Sequence, residues 1–186
     1  LVHDDDLART TAVRARVRDR ELAEIASLDA GAWFGPSFAG ETVPTLDGYL
    51  DRARDLGLGV NLEIKALPGD EARTAAVLAE ALARRLVSSF LPTALAVIKE
   101  RAPTLPRGYL RRRLQMGWRR ELDRLGAASF HLGARGVTRT TVEKARGAGL
   151  PVAIYTVNDP ALARRLFDWG VTSLFTDRPD LLVGLG

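Results

Sequence analysis

The chain has no cysteine, which excludes disulfides and thiol chemistry and fits a reducing cytoplasm. It contains no run of roughly 18 or more apolar residues, so no segment reads as a membrane span. No secretory signal is visible. Aromatic residues are scarce, at 6%, and sit mostly inside apolar runs. A nucleic-acid surface needs a basic face with interleaved aromatics, so the formal charge of +4 reads as a solvated basic surface with no nucleic-acid partner. Lysine is nearly missing too. It occurs only as Lys65, Lys99 and Lys144, and the other basic residues are arginines dispersed among acids. Their densest cluster is Arg111-Arg112-Arg113, followed by Trp118-Arg119-Arg120.

What is present suits one domain. The 186 residues are 46% hydrophobic, enough for a sizeable core. From Gly59 onward, short apolar or β-branched runs alternate with helical patterns. Strands are expected over 60–65, 86–90, 106–110, 128–132, 152–157 and 171–176. Helices are expected over 70–85, from Pro92, over 117–125 and 138–148, from Asp159 to Gly170, and over 179–183. Pro92 and Pro160 fall in first turns, where a missing N–H is harmless. Gly126, Gly149 and Gly170 close helices. Strands separated by helices imply parallel pairing with right-handed crossovers.

Two α/β architectures fit that pattern: an open doubly wound sheet or part of a (β/α)8 TIM barrel. No Gly-x-Gly-x-x-Gly follows a strand, which weakens the nucleotide-binding sheet. Polar residues gather at expected C-terminal strand ends: Glu63 and Lys65, Ser88 and Ser89, His131, Thr156 and Asn158, Thr176 and Asp177. Active sites of (β/α)8 barrels occupy that rim. A barrel needs eight strands and typically about 250 residues, so six of eight strands are accounted for. Leu1-Val2-His3 reads as the tail of a strand, and an incomplete barrel lacking its N-terminal strands is expected, with 1–186 as a single domain. Residues 4–44 read as an insertion or lid with one short helix near 19–28. Thr45 then caps a helix ending at Gly57. Near Arg84-Arg85 a helix runs into a strand without turn residues, although such loops usually take about two to six. A few residues are expected to be absent there.

Two segments carry chemistry. In His3-Asp4-Asp5-Asp6-Leu7-Ala8-Arg9-Thr10-Thr11, a histidine beside carboxylates suits a general acid or base; read alone, the segment favours a locally capped histidine in an Asp-rich turn. In Asn61-Leu62-Glu63-Ile64-Lys65, alternation puts Asn61, Glu63 and Lys65 on one face. A carboxylate and an ammonium on an inward face must be paired or bound to a ligand. A divalent cation and a phosphate fit them, as does a buried Glu–Lys pair.

Taken in order, these segments are similar to signatures of the glycerophosphodiester phosphodiesterase family, bacterial cytoplasmic type. They are joined by Leu28-Asp29-Ala30-Gly31-Ala32-Trp33-Phe34, Phe38-Ala39-Gly40-Glu41-Thr42-Val43-Pro44-Thr45-Leu46 and Val87-Ser88-Ser89-Phe90. Pro106-Arg107-Gly108-Tyr109-Leu110, Tyr155-Thr156-Val157-Asn158 and Thr176-Asp177-Arg178-Pro179 complete the set. The resemblance implies a (β/α)8 barrel that hydrolyses glycerophosphodiesters to sn-glycerol 3-phosphate and an alcohol, with a divalent metal, Mg²⁺ or Ca²⁺. It implies His3 as a catalytic histidine, Glu63 as a metal carboxylate and Lys65 on the phosphate. Phe90 and Tyr155 would line the pocket, where many members have tryptophan in place of Tyr155. His131 and Trp33 are secondary candidates, for the glycerol side and for a wall over the pocket; simple packing competes for both.

In the family a first histidine, its arginine and a Glu-x-Asp metal pair precede the segment matching His3. Residues 1–186 alone are therefore expected to be inactive and metal-poor. Two further readings are a lysophospholipase D-like relative and a non-catalytic barrel binding phosphate compounds or a partner. A homodimer stays open.

Overall fold

The computed structural model describes residues 1–82 and 85–185. The chain divides into two compact units, Leu1–Val60 and Asn61–Gly186. In the first, short 3-10 helices cover Val17–Asp19 and Pro36–Phe38, and helices α1 and α2 cover Leu22–Ala26 and Leu46–Asp55. The second alternates β1 (Asn61–Ile64), α3 (Glu71–Ala81), β2 (Leu86–Ser89), α4 (Pro92–Arg101), β3 (Arg107–Arg111) and α5 (Trp118–Leu125). It continues with β4 (Ser129–Gly133), α6 (Arg139–Arg146), β5 (Val152–Tyr155), α7 (Pro160–Asp168), β6 (Ser173–Leu174) and α8 (Pro179–Leu182).

Helix boundaries follow local chemistry. The hydroxyls of Thr45 and Thr138 accept from the amides of Gly48 and Thr141, and the Asp159 carboxylate accepts from Ala161 N–H. Each satisfies an otherwise orphaned amide of a first turn. Gly126 closes α5 at φ 58°, a left-handed conformation that costs glycine nothing. The junction where residues were expected to be absent, at 83–84, lies outside the described residues.

All six strands pair in parallel in the order β1-β2-β3-β4-β5-β6. This order decides between the two α/β architectures. A doubly wound sheet reverses its strand order at a switch point and carries helices on both faces. Here the order never reverses, so the crossovers stay on one face. The apolar core lies on that face: Tyr109, Phe130, Leu132, Val152 and Ile154 from the strands pack with Leu95, Leu122, Leu125, Val142 and Leu166 from the helices. The second unit is six consecutive β/α units of a (β/α)8 barrel.

The other, inner face carries Asn61 and Glu63, Ser88, Gly108 and Leu110, Ser129 and His131, Ala153 and Tyr155, all aligned by the strand register. It is far more polar than the helix-covered face.

Two expectations need correction. Leu1-Val2-His3 is not a strand, because no described strand offers it a ladder. The strand expected over 171–176 shortens to Ser173–Leu174, as the rim beyond it is held by side chains. In the first unit, Leu7, Ile25 and Val43 form a small core of their own. Among the described residues no helix is long and apolar enough to cross a membrane.

Candidate active site

The inner face of the sheet collects the polar side chains that the core excludes. Four buried polar atoms have no hydrogen-bond partner among the described residues: Asn61 Oδ1, Ser88 Oγ, His131 Nδ1 and Tyr155 Oη. All four belong to that face. Buried polar groups are normally satisfied, since an unmade hydrogen bond costs about 1–3 kcal/mol. Their concentration on one face marks it as the surface built for polar company.

Glu63 lies on β1 with burial alternating around it, Leu62 and Ile64 buried and Glu63 exposed. The alternation continues to exposed Lys65, one residue beyond the strand. Neither side chain is enclosed in a core, so the alternative of a Glu–Lys pair that is buried does not hold. β1 is the first strand of the six-stranded sheet, and both side chains are exposed. Ser88 is the register partner of Glu63.

Phe90 and Tyr155 meet edge to face, with ring centroids 5.6 Å apart. Burial pushes the Tyr155 phenol up to about 12, the Glu63 carboxylate adds to the rise, and Arg112 opposes it. Tyr155 thus feels both the carboxylate on β1 and the guanidinium beyond β3. The Tyr155–Thr156 peptide is cis.

Beside Tyr155 opens a cavity of about 510 Å³, lined by Arg112, Arg113, Gln115, Arg135 and Thr156 among others. It lies at the C-terminal ends of β3, β4 and β5, the rim where barrel active sites sit. Gly133 makes the close packing there feasible. A Cβ at Gly133 would come within 2.9 Å of the Arg112 carbonyl oxygen.

His131 is buried in the middle of β4, not at the rim. Its ring lies 5.2 Å from that of Phe175, and its Nε2 is 2.8 Å from Ser129 Oγ. Burial draws its pKa down to about 4, so the imidazole is neutral at pH 7. Ser89 is a second departure from the expected rim. Its hydroxyl donates to Ile64 O at 2.8 Å and accepts from Leu91 N–H at 3.0 Å, securing the β2–α4 turn.

In the first unit His3 is exposed, with Nδ1 2.6 Å from Asp4 Oδ1. Arg9 Nε donates to the other Asp4 oxygen at 2.5 Å. The Arg9 guanidinium stacks 5.6 Å from the Trp33 ring centroid. His3 and Trp33 are therefore joined through Asp4 and Arg9. Hydrogen bonds from Arg9 first, then His3, hold the Asp4 carboxyl down at about 2, so Asp4 is an anion at any working pH. Trp33 Nε1 donates to Ala30 O. Its loop is pinned by Asp29, whose carboxylate accepts from the amides of Gly31, Ala32 and Gly40 at 2.8 Å each.

Sequence reasoning missed the arginine-lined cavity. The Arg111-Arg112-Arg113 cluster reads as solvated surface, and Arg135 drew no notice. The available signal was position, because both segments directly follow expected strands and so fall on the rim.

The profile of the Glycerophosphoryl diester phosphodiesterase family matches residues 1–181. A glycerophosphodiester phosphodiesterase of Bacillus subtilis is 32% identical over 97% of this chain and 69% of its own length. One from Caldanaerobacter subterraneus subsp. tengcongensis is 33% identical over 100% of this chain and 79% of its own. Among solved structures, an Oleispira antarctica phosphodiesterase in complex with the product sn-glycerol-3-phosphate superposes with a TM-score of 0.94. It is 33% identical and covers 99% of this chain and 77% of its own.

Proposed function

Because the chain belongs to the glycerophosphoryl diester phosphodiesterase family, whose members are phosphoric diester hydrolases, we propose that it works by metal-dependent acid–base hydrolysis, with its own residues in definite roles. The products are sn-glycerol 3-phosphate and an alcohol. The related Oleispira antarctica phosphodiesterase, seen with sn-glycerol-3-phosphate, supports that choice of product.

The observation that carries this reading is the exposed Glu63 and Lys65 on the strand whose carboxylate bears on Tyr155. A phosphodiester is anionic, and its negative charge shifts during hydrolysis. Lys65 would neutralise a phosphoryl oxygen, an interaction that gains strength as charge builds up. Phe90 and Tyr155 would hold the organic part against their paired rings. His3 would serve as general acid or base. Asp4 suits it to that work, because a carboxylate on Nδ1 orients the ring. Trp33 and the rest of 4–44 would contribute to substrate recognition. The burial of His131 supports a packing role over contact with glycerol.

A divalent cation such as Mg²⁺ or Ca²⁺ is part of the proposal, with Glu63 as one ligand. Such ions want about six or more oxygens. Among the described residues no group of three or more His, Cys, Asp or Glu side chains could hold a metal. The described donors do not complete a site.

The test is hydrolysis of glycerophosphocholine by the full-length protein and its Glu63→Gln variant, following sn-glycerol 3-phosphate release. The isosteric amide keeps the shape and loses the charge, and turnover should fall by roughly a hundredfold. A variant with the parent's turnover would remove Glu63 from the mechanism.

A further inference from the structure

The cavity beside Tyr155 has a charge pattern that phosphodiester hydrolysis does not by itself require. Three guanidinium-bearing residues line it: Arg112 and Arg113 from the loop after β3, and Arg135 from the loop after β4. No acidic side chain shares the lining. Some arginines elsewhere have carboxylate partners: Arg9 with Asp4, Arg54 with Asp51, Arg124 with Glu121, Arg139 with Glu143 and Arg178 with Asp180. Arg112, Arg113 and Arg135 form no ion pair among the described residues. Three like charges around one hollow repel one another, and that repulsion is relieved when an anion enters.

The cavity also has a defined place. Tyr155 lines it and feels both Glu63 and Arg112. Its rim position is fixed by packing, because Ala134 N–H donates to Tyr155 O and Gly133 admits the Arg112 backbone. The volume of about 510 Å³ falls within the usual range of small-molecule pockets. Arginine forks suit carboxylate and phosphate oxygens, and they repel quaternary ammonium groups.

We propose that the pocket formed by Arg112, Arg113 and Arg135 at the C-terminal rim is a specificity subsite for an anionic group, carboxylate or phosphate, on the alcohol half of the diester. The inference rests on the phosphodiesterase reading and adds a substrate class to it. The enzyme then prefers diesters with acidic alcohol moieties over those bearing choline. The preference weakens with ionic strength, because the three guanidiniums are exposed to screening.

The experiment compares kcat/KM for glycerophosphoinositol 4-phosphate, glycerophosphoserine and glycerophosphocholine, using the full-length protein, its Arg112→Gln/Arg113→Gln double variant and Arg135→Gln. The ratio of the acidic diester over the choline diester should exceed one in the parent. It should fall about tenfold in the double variant, mainly through KM, and recover largely in Arg112→Lys/Arg113→Lys. Preference for the inositol phosphate alone assigns the subsite to phosphate; preference for the serine diester as well extends it to carboxylates. An equal loss of kcat/KM on all three substrates would place the arginines on the common phosphodiester and overturn the proposal. So would hydrolysis without charge preference in the parent. Failure to hydrolyse any diester would overturn the phosphodiesterase reading and this inference with it.

Discussion

At the scale of single residues, Gly108 and His131 form one fitted pair. A Cβ at Gly108 would lie 2.5 Å from His131 Cε1, so the imidazole occupies the space that glycine leaves on the inner face. Its burial has a pH consequence. Folded, the ring stays neutral down to about 4; unfolded, it takes a proton near 6.5. Between those values the unfolded chain binds more protons, so stability falls as pH drops from 6.5 towards 4 and is unaffected by this group above that window. A His131→Gln variant lacks this term. Denaturant unfolding at pH 7 and pH 4.5 should show the parent losing about 2 kcal/mol more than the variant. Equal losses would mean that His131 titrates alike in both states.

At the scale of elements, the α5–β4 connection depends on Arg107. It is buried, and its guanidinium donates to the carbonyls of Pro103, Leu105, Leu125 and Gly126 at 2.7–3.1 Å. Two of those oxygens end α5, where a cation also complements the helix dipole. Arg107→Ala would leave these carbonyls unsatisfied and should cost about 3 kcal/mol, read by denaturant titration. A loss below about 1 kcal/mol would mean that water replaces the guanidinium. Pro106-Arg107-Gly108-Tyr109-Leu110 thus serves the structure: Arg107 caps a helix, Gly108 clears the imidazole and Tyr109 enters the core. The same holds at the closing rim. Asn158 Oδ1 accepts from Thr176 Oγ1 and Asp177 N–H, and its Nδ2 donates to Asp177 Oδ2.

Elements were largely legible because their causes are local. Alternation marks strands, Thr45, Thr138 and Asp159 announce helix starts, and Gly126 an end. The arginine pocket was legible only as position after expected strands, because no spacing in the sequence records how those loops approach one another. The exposure of Glu63 is likewise a property of the folded unit that strand alternation alone does not give. His131 was misplaced to the rim because a strand's boundary shifted by one residue, from 132 to Gly133, and its depth is set by the register with β3 and β5.

At the scale of the whole molecule, the winding order decides what the parts can do. A sequentially ordered parallel sheet sends its helices to one face and keeps the other for Asn61, Glu63, Ser88, His131 and Tyr155. Glu63, Lys65, Phe90 and Tyr155 belong to this unit, and His3 with Asp4, Arg9 and Trp33 to the other. The resemblance of short motifs pointed to these residues before the fold was known. Their electrostatic setting came only from the fold: the ionised Asp4, the raised Tyr155 and the guanidiniums without acidic partners.

Metal-dependent hydrolysis of glycerophosphodiesters is checked by following sn-glycerol 3-phosphate release from glycerophosphocholine by the full-length protein, after treatment with EDTA and again after adding Mg²⁺ or Ca²⁺. The account predicts release that stops on chelation and returns with the cation. Undiminished release in EDTA would contradict it.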